Sequence, residues 1–212
     1  MLIGQPQTYT DAKGSWTSSI FRTPVAGPLL LTERGLDGDA VADTDNHGSP
    51  DQAVCCHPIA HYAAWGAEYD LAASALGPGS VGENWTLTEL TEADVCVGDT
   101  FAVGEAVVQV TGPRYPCTKQ ERKLGLPGWH RRTMETGRTG FYLRVLAPGM
   151  VRAKQTLALL ERPLPAITVA AVNRAGVQGF DESFARMALE LPELGSGWKK
   201  IFGYLLEKRG AL

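Results

Sequence analysis

Thr100-Phe101-Ala102-Val103-Gly104-Glu105-Ala106-Val107-Val108-Gln109-Val110-Thr111 reads as a β-hairpin, and its continuation Gly112-Pro113-Arg114-Tyr115-Pro116-Cys117-Thr118-Lys119 reads as a strand running out into a stiff, charged exit. Two runs rich in apolar and β-branched residues flank Gly104-Glu105, a two-residue link of the kind that closes a II′ turn. Pro113 and Pro116 restrict the backbone beyond the second run. Arg114 and Lys119 bring positive charge close to Cys117. Neighbouring cations favour the thiolate, the form that attacks electrophiles or binds metals. A thiol used only for packing needs neither the prolines nor the charges, so Cys117 is the leading candidate for chemistry.

Outward from the hairpin, further short runs recur at Ser18–Phe21, Leu29–Thr32, Ala53–Cys56, Val95–Val97, Phe141–Leu146 and Thr156–Leu160, punctuated by Gly, Pro and Asp. This is the pattern of a β-rich sheet or barrel. Pro58 is placed to open a helix whose Ile59, Tyr62, Trp65, Tyr69 and Ala73 fall at helical spacing, and another short helix is expected over Trp129–Thr136. Character changes near Pro163-Leu164-Pro165. Beyond it, helices are expected over Thr168–Ala175, Glu182–Leu191 (with Asp181 as N-cap) and Trp198–Arg209. The expected fold is mainly β: a barrel-like body with a few short helices over residues 1–162, then a small three-helix unit over 163–212.

Composition narrows the function classes. With 212 residues, 44% hydrophobic and 20% charged, the chain can bury a substantial core. A net charge of -3 gives no general attraction to nucleic acid or acidic membranes. No apolar run is long enough to span a bilayer, and the first residues lack the features of a secretory signal. The four cysteines, Cys55, Cys56, Cys96 and Cys117, form no C-x-x-C pair, no zinc-finger spacing and no iron–sulfur run. Free thiols fit a reducing, cytoplasmic location. P-loop, Rossmann and H-E-x-x-H signatures are absent from the sequence.

Two more polar segments compete with plain loop readings. Arg34-Gly35-Leu36-Asp37-Gly38-Asp39 and Asp43-Thr44-Asp45-Asn46-His47-Gly48-Ser49-Pro50-Asp51 combine glycines that let N–H groups converge on an anion with a histidine able to donate, accept or bind metal. Self-capped turns explain the same composition equally well. Gly82-Glu83-Asn84 offers an acid and an amide before an apolar strand, and could equally be a strand entrance. His57 and His61 stand four apart, but Pro58 between them favours packing or capping over a metal site. Cys55, Cys56 and Cys96 read as small core hydrophobes, and the tryptophans as core anchors.

Taken in order, these segments resemble the MOSC family, named from the C-terminal domain of molybdenum cofactor sulfurases, and within it the YiiM-type branch. The resemblance rests on Gly35-Leu36-Asp37-Gly38-Asp39, His47 to Val54, Gly82-Glu83-Asn84, Gly98-Asp99 and Pro113 to Lys119, extended by Thr139-Gly140 and Ala147-Pro148-Gly149. It departs from the family pattern at Ser49, where a second glycine is common, and at Trp85, where an aliphatic residue is usual and where the pocket wall is expected to be reshaped.

The resemblance implies a MOSC-type β-barrel-like body that binds a molybdenum–pterin cofactor, with Cys117 as metal ligand or sulfur carrier. It implies Arg34, Arg114, Lys119 and Asn84 as cofactor partners, and His47, Glu83 and Asp51 as candidates for proton delivery or orientation. The expected activity is reduction of small N-hydroxylated compounds such as hydroxylaminopurines, with electrons from a separate flavoprotein or ferredoxin. No nucleic-acid or membrane partner is expected, and a homodimer is left open. Two alternatives stand beside it: a non-catalytic carrier of persulfide sulfur or cofactor, and a cysteine-nucleophile hydrolase or transferase using Cys117 and His47.

Overall fold

The structure, a computed structural model, describes residues 1–210. Its strands are β1 (Leu2–Ile3), β2 (Gln7–Asp11), β3 (Gly14–Ser18), β4 (Thr23–Pro24), β5 (Leu29–Thr32), β6 (Gly35–Leu36), β7 (Val54–Pro58), β8 (Trp85–Leu87), β9 (Thr100–Val103), β10 (Ala106–Pro113), β11 (Phe141–Ala147), β12 (Gly149–Val151) and β13 (Ala158–Glu161). Its helices are α1 (Ala60–Glu68), α2 (Lys119–Leu124), α3 (Trp129–Thr136), α4 (Val169–Asn173), α5 (Glu182–Leu189) and α6 (Ser196–Lys208).

The hairpin of β9 and β10 forms where the sequence places it, with Ala106 opposite Val103. Gly104 has φ +58, and Glu105 is not among the residues with positive φ, which is the sign pattern of a II′ turn. Around it grows a six-stranded sheet in the order β13-β9-β10-β11-β7-β8, curled into a half-barrel. Every pairing is antiparallel except β7 with β8, which run parallel. Val108 and Val110 of β10, with Phe141 and Leu143 of β11, point alternately into one core, where they meet Leu31, Val54 and Trp85. The small sheet β12-β5-β6 packs against the same core.

Several local expectations differ from the structure. Val95–Val97 forms only an isolated antiparallel bridge, Cys96 opposite Thr168. The Val97 N–H goes to Ile167 at 2.9 Å and the Val169 N–H to Val95 at 3.0 Å, while the Asp99 carboxylate takes the Cys96 N–H at 2.8 Å and the pairing extends no further. Pro58 closes β7 instead of opening α1, and Ile59 sits at the N-cap. The predicted run at Ser18–Phe21 overlaps the end of a polar, exposed hairpin of β2 and β3, whose Thr and Ser side chains hid it from an apolar pattern. The short charged helix α2 likewise lacks an apolar stripe.

The C-terminal segment is helical as expected, although α4 runs on into a single π-turn at Arg174–Gln178. Asp181 caps α5 by accepting the Phe184 N–H at 2.9 Å. Val172, Ala185, Leu194, Trp198, Phe202 and Leu206 form a second apolar cluster that also takes in Val97 from the β-rich body.

Candidate functional site

Arg114 is aimed by the strand that precedes it. β10 slips register against β11 between Val110 and Gly112, a bulge that leaves Thr111, Gly112, Pro113 and Arg114 all buried. The Arg114 N–H then ties to the Gly140 carbonyl at 3.0 Å. From there the chain turns through Pro116 into α2. The sulfur of Cys117 accepts the N–H of Lys119 at 3.4 Å. Cys117 is half-buried, whereas Cys55, Cys56 and Cys96 are buried, and all four are free thiols.

Cys117 lies on the wall of a cavity of about 580 Å³, which also receives His47, Arg34, Asn84, Arg114 and Lys119. Six of the eight residues singled out in the sequence therefore converge. Asp51 and Glu83 are not on this wall. Asp51 turns away to accept the Ser196 N–H at 2.8 Å and to pair with Arg144 at 2.9 Å. Glu83 is fully buried behind the wall, where one oxygen accepts from the Tyr62 hydroxyl at 2.6 Å, the Gly79 N–H at 2.7 Å and the Thr86 hydroxyl at 2.7 Å. Asn84 reaches the wall but spends its amide on the framework. Its oxygen accepts the Cys55 N–H at 3.0 Å, and its nitrogen donates to Asp39 at 2.9 Å and to the Leu2 carbonyl at 3.2 Å.

The sequence pattern assigns no role to Arg22, Ser19, Gln52 or Tyr142 and marks Cys55 as a small core hydrophobe; all five lie on the same wall. Arg22, Ser19 and Tyr142 sit in no polar motif, while Gln52 lies inside the His47 to Val54 stretch without being singled out. The only local signals were Arg22 breaking an apolar run and Tyr142 alternating along β11. Cys55 and Cys56 do face opposite ways: Cys55 lines the cavity and Cys56 joins the core. Trp85 belongs elsewhere, on a second cavity of about 540 Å³ that shares none of the lining residues, so it does not reshape this wall. The His57–His61 pair resolves as packing: His57 is buried and His61 meets Glu92 at 2.8 Å. Among the described residues no cluster of three or more His, Cys, Asp and Glu side chains is placed to hold a metal ion.

Charge on the wall is predominantly positive. Arg22, Arg34, Arg114 and Lys119 face two carboxylates, Asp39 and Asp43. Asp39 is engaged by Arg22 at 2.9 Å, while Asp43 approaches Lys119 only at 3.9 Å. Burial pushes the His47 pKa down, and Arg114 and Lys119 add to the shift against the opposing Asp43, so its imidazole is neutral at pH 7. Burial, with Cys55 adding, pushes the Tyr142 hydroxyl up to about 12, so it stays protonated beside Arg114.

Arg114 is 7% exposed, yet its Nη1 has no hydrogen-bond partner. A buried guanidinium donor without an acceptor is costly, and an anion supplies what is missing. The hydroxyl of Ser19 and the amide oxygen of Gln52, both on the wall, are also buried without partners. One soft sulfur, an unsatisfied cation and unsatisfied amide and hydroxyl groups suit an anionic heterocycle carrying a thiophilic metal. With only one protein sulfur on offer beside the buried Cys55, the other metal ligands would have to arrive with the cofactor.

Comparison with known proteins places the chain. A profile of the MOSC domain matches residues 43–158, which include His47, Arg114 and Cys117. The chain is 40% identical over 172 residues to YflK of Bacillus subtilis (strain 168), covering 81% of this chain and 76% of that protein. A protein of Gibberella moniliformis (strain M3125 / FGSC 7600) named Reductase is 35% identical over 162 residues, 76% of this chain and 29% of that one. The crystal structure of YiiM from Geobacillus stearothermophilus superposes with a TM-score of 0.80 at 32% identity, covering 97% of this chain and 96% of that chain. Sequence and fold agree over nearly the whole length, and the chain belongs to the MOSC domain family.

Proposed function

We propose that the protein is a molybdenum-cofactor-dependent reductase of small N-hydroxylated compounds. The observation that carries this reading is Cys117, half-buried on a cation-lined wall beside a buried arginine with an unsatisfied donor. Its MOSC membership supports a molybdenum cofactor, and the Gibberella relative named Reductase supports reduction. When bound, the cofactor supplies two-electron reduction of an N–OH group to the amine, with water as the other product.

The chain's own residues bind, orient and shuttle protons. Cys117 would offer its sulfur as the soft ligand, oriented by the Lys119 N–H. Arg114, Lys119 and Arg34 would hold the anionic part of the cofactor, while Arg22 is committed to Asp39 and the Gly82 carbonyl. His47 is neutral and on the wall, so it can take a proton or pass one on near neutral pH. Asp51 and Glu83 act on the frame instead, since one is bound to α6 and the other is enclosed. Electrons come from a separate flavoprotein or ferredoxin, in a cytoplasmic setting that keeps the four thiols free.

Protein loaded with cofactor and supplied with a donor should reduce a hydroxylaminopurine, and Cys117→Ser should bring turnover to background while circular dichroism shows an unchanged fold. Full turnover by Cys117→Ser would remove this sulfur from the chemistry. Bound molybdenum, measured by elemental analysis, without any turnover by the unaltered protein would instead mark a carrier of cofactor or sulfur.

A further inference from the structure

Three contacts tie the first turn of α6 to the segments that carry the site. Ser196 N–H donates to the Asp51 carboxylate at 2.8 Å, Gly195 N–H to the Thr111 carbonyl at 2.8 Å, and the Trp198 indole N–H to the Pro113 carbonyl at 2.7 Å. A fourth bond closes the ring, because the Thr111 hydroxyl donates to the Asp51 carbonyl at 2.7 Å. Each acceptor lies next to the cavity in sequence or within three residues of it: Asp51 sits between the wall residues Pro50 and Gln52, and Pro113 precedes Arg114. Arg144 braces the arrangement from β11, pairing with Asp51 at 2.9 Å and donating to the Glu193 carbonyl at 3.0 Å. Trp198 is buried, and its ring lies so close to Gly112 that a side chain there would meet it at 3.3 Å.

We infer that the start of α6 is a working part of the site, with Asp51 and Trp198 as positioning residues that lock the His47 loop and the Cys117 segment to each other. Asp51 faces away from the cavity because its carboxylate is spent on this lock, and its two neighbours are thereby turned inward. The Pro113 carbonyl is held where the bulged end of β10 hands over to Arg114, so a lost indole bond lets the segment carrying Arg114, Cys117 and the Lys119 N–H drift. The inference rests on the reading of Cys117 as the working group and extends it to the C-terminal helices.

The test is the rate at which iodoacetamide alkylates Cys117 in the full-length protein without cofactor, well below its melting temperature. The other three cysteines are buried, so the half-buried one reports, with Cys117→Ser as the blank. Asp51→Ala and Trp198→Phe should each speed alkylation by about fivefold or more, since a segment freed to drift exposes its half-buried thiol to the reagent. Asp51→Asn, which keeps an acceptor for the Ser196 N–H, should bring the rate most of the way back to that of the unaltered protein. Leu206→Ala, in the same apolar cluster but at the far end of α6, should lower the melting temperature and leave the rate unchanged. Rates for Trp198→Phe within twofold of the unaltered protein, or an equal rise in Leu206→Ala, would overturn the inference even if Asp51→Ala failed to fold. Failure of the reductase reading would appear in the turnover of Cys117→Ser, a separate measurement from these rates.

Discussion

His57 and His47 carry the same imidazole into different surroundings. His57 is 2% exposed with neither ring nitrogen partnered, and burial, with His61 adding, pushes its pKa down to about 3. His47 is only half-buried and is lowered by burial and by the cations of the cavity. For His57 the unfolded chain, with a pKa of about 6.5, binds a proton that the folded chain refuses. Stability is therefore greatest above about pH 6.5 and falls by about 1 kcal/mol per pH unit below it, levelling off near the folded value. Asp51 acts in the same direction, because its depressed carboxylate loses its bonds to Ser196 and Arg144 when protonated. His57→Phe should flatten the acid limb of stability between about pH 6 and pH 4, read from urea unfolding at each pH; an unchanged slope would assign that limb to the carboxylates. Cys117, Arg114 and Lys119 were readable together in the sequence because they share one short segment. Arg22 and Tyr142 were not, because only the curl of the sheet brings their segments to the same wall.

At the scale of elements, the entry to β11 matters as much as the strand that ends in Arg114. Gly140 has φ +73, a region costly for any side chain, and an added Cβ would collide with the Cys56 carbonyl of β7. Its own carbonyl accepts the Arg114 N–H at 3.0 Å, and its N–H goes to the Glu92 carboxylate at 2.5 Å. Gly140→Ala should thus destabilise by about 2–4 kcal/mol through strain and overpacking, measured by chemical denaturation. A cost below about 0.5 kcal/mol, the range of ordinary surface changes, would show that β7 and β11 can separate freely there. The hairpin of β9 and β10 was readable because its turn residue and its apolar alternation coincide. The β2–β3 hairpin and α2 escaped because neither has an apolar pattern: one pairs polar side chains in the open, and the other is a single charged turn and a half.

Over the whole molecule, the helices after residue 163 share their apolar cluster with Val97 and send their indole hydrogen bond to Pro113. A segment of this size buries too little surface to offset its own ordering. An isolated 163–212 peptide should accordingly show no cooperative thermal transition by circular dichroism; a sharp transition would mean that the helices hold together without the body. The sequence alone determined the β-rich body, the helical C-terminal segment, the hairpin at Gly104 and the cysteine beside its cations, since each depends on neighbours within a few residues. Tertiary structure alone decided that Asp51 braces a helix instead of facing the cavity, that Glu83 is enclosed, and that Trp85 lines a different hollow. Those outcomes depend on which backbone N–H groups and carbonyls meet across the fold, and nothing in the local order of residues fixes such meetings.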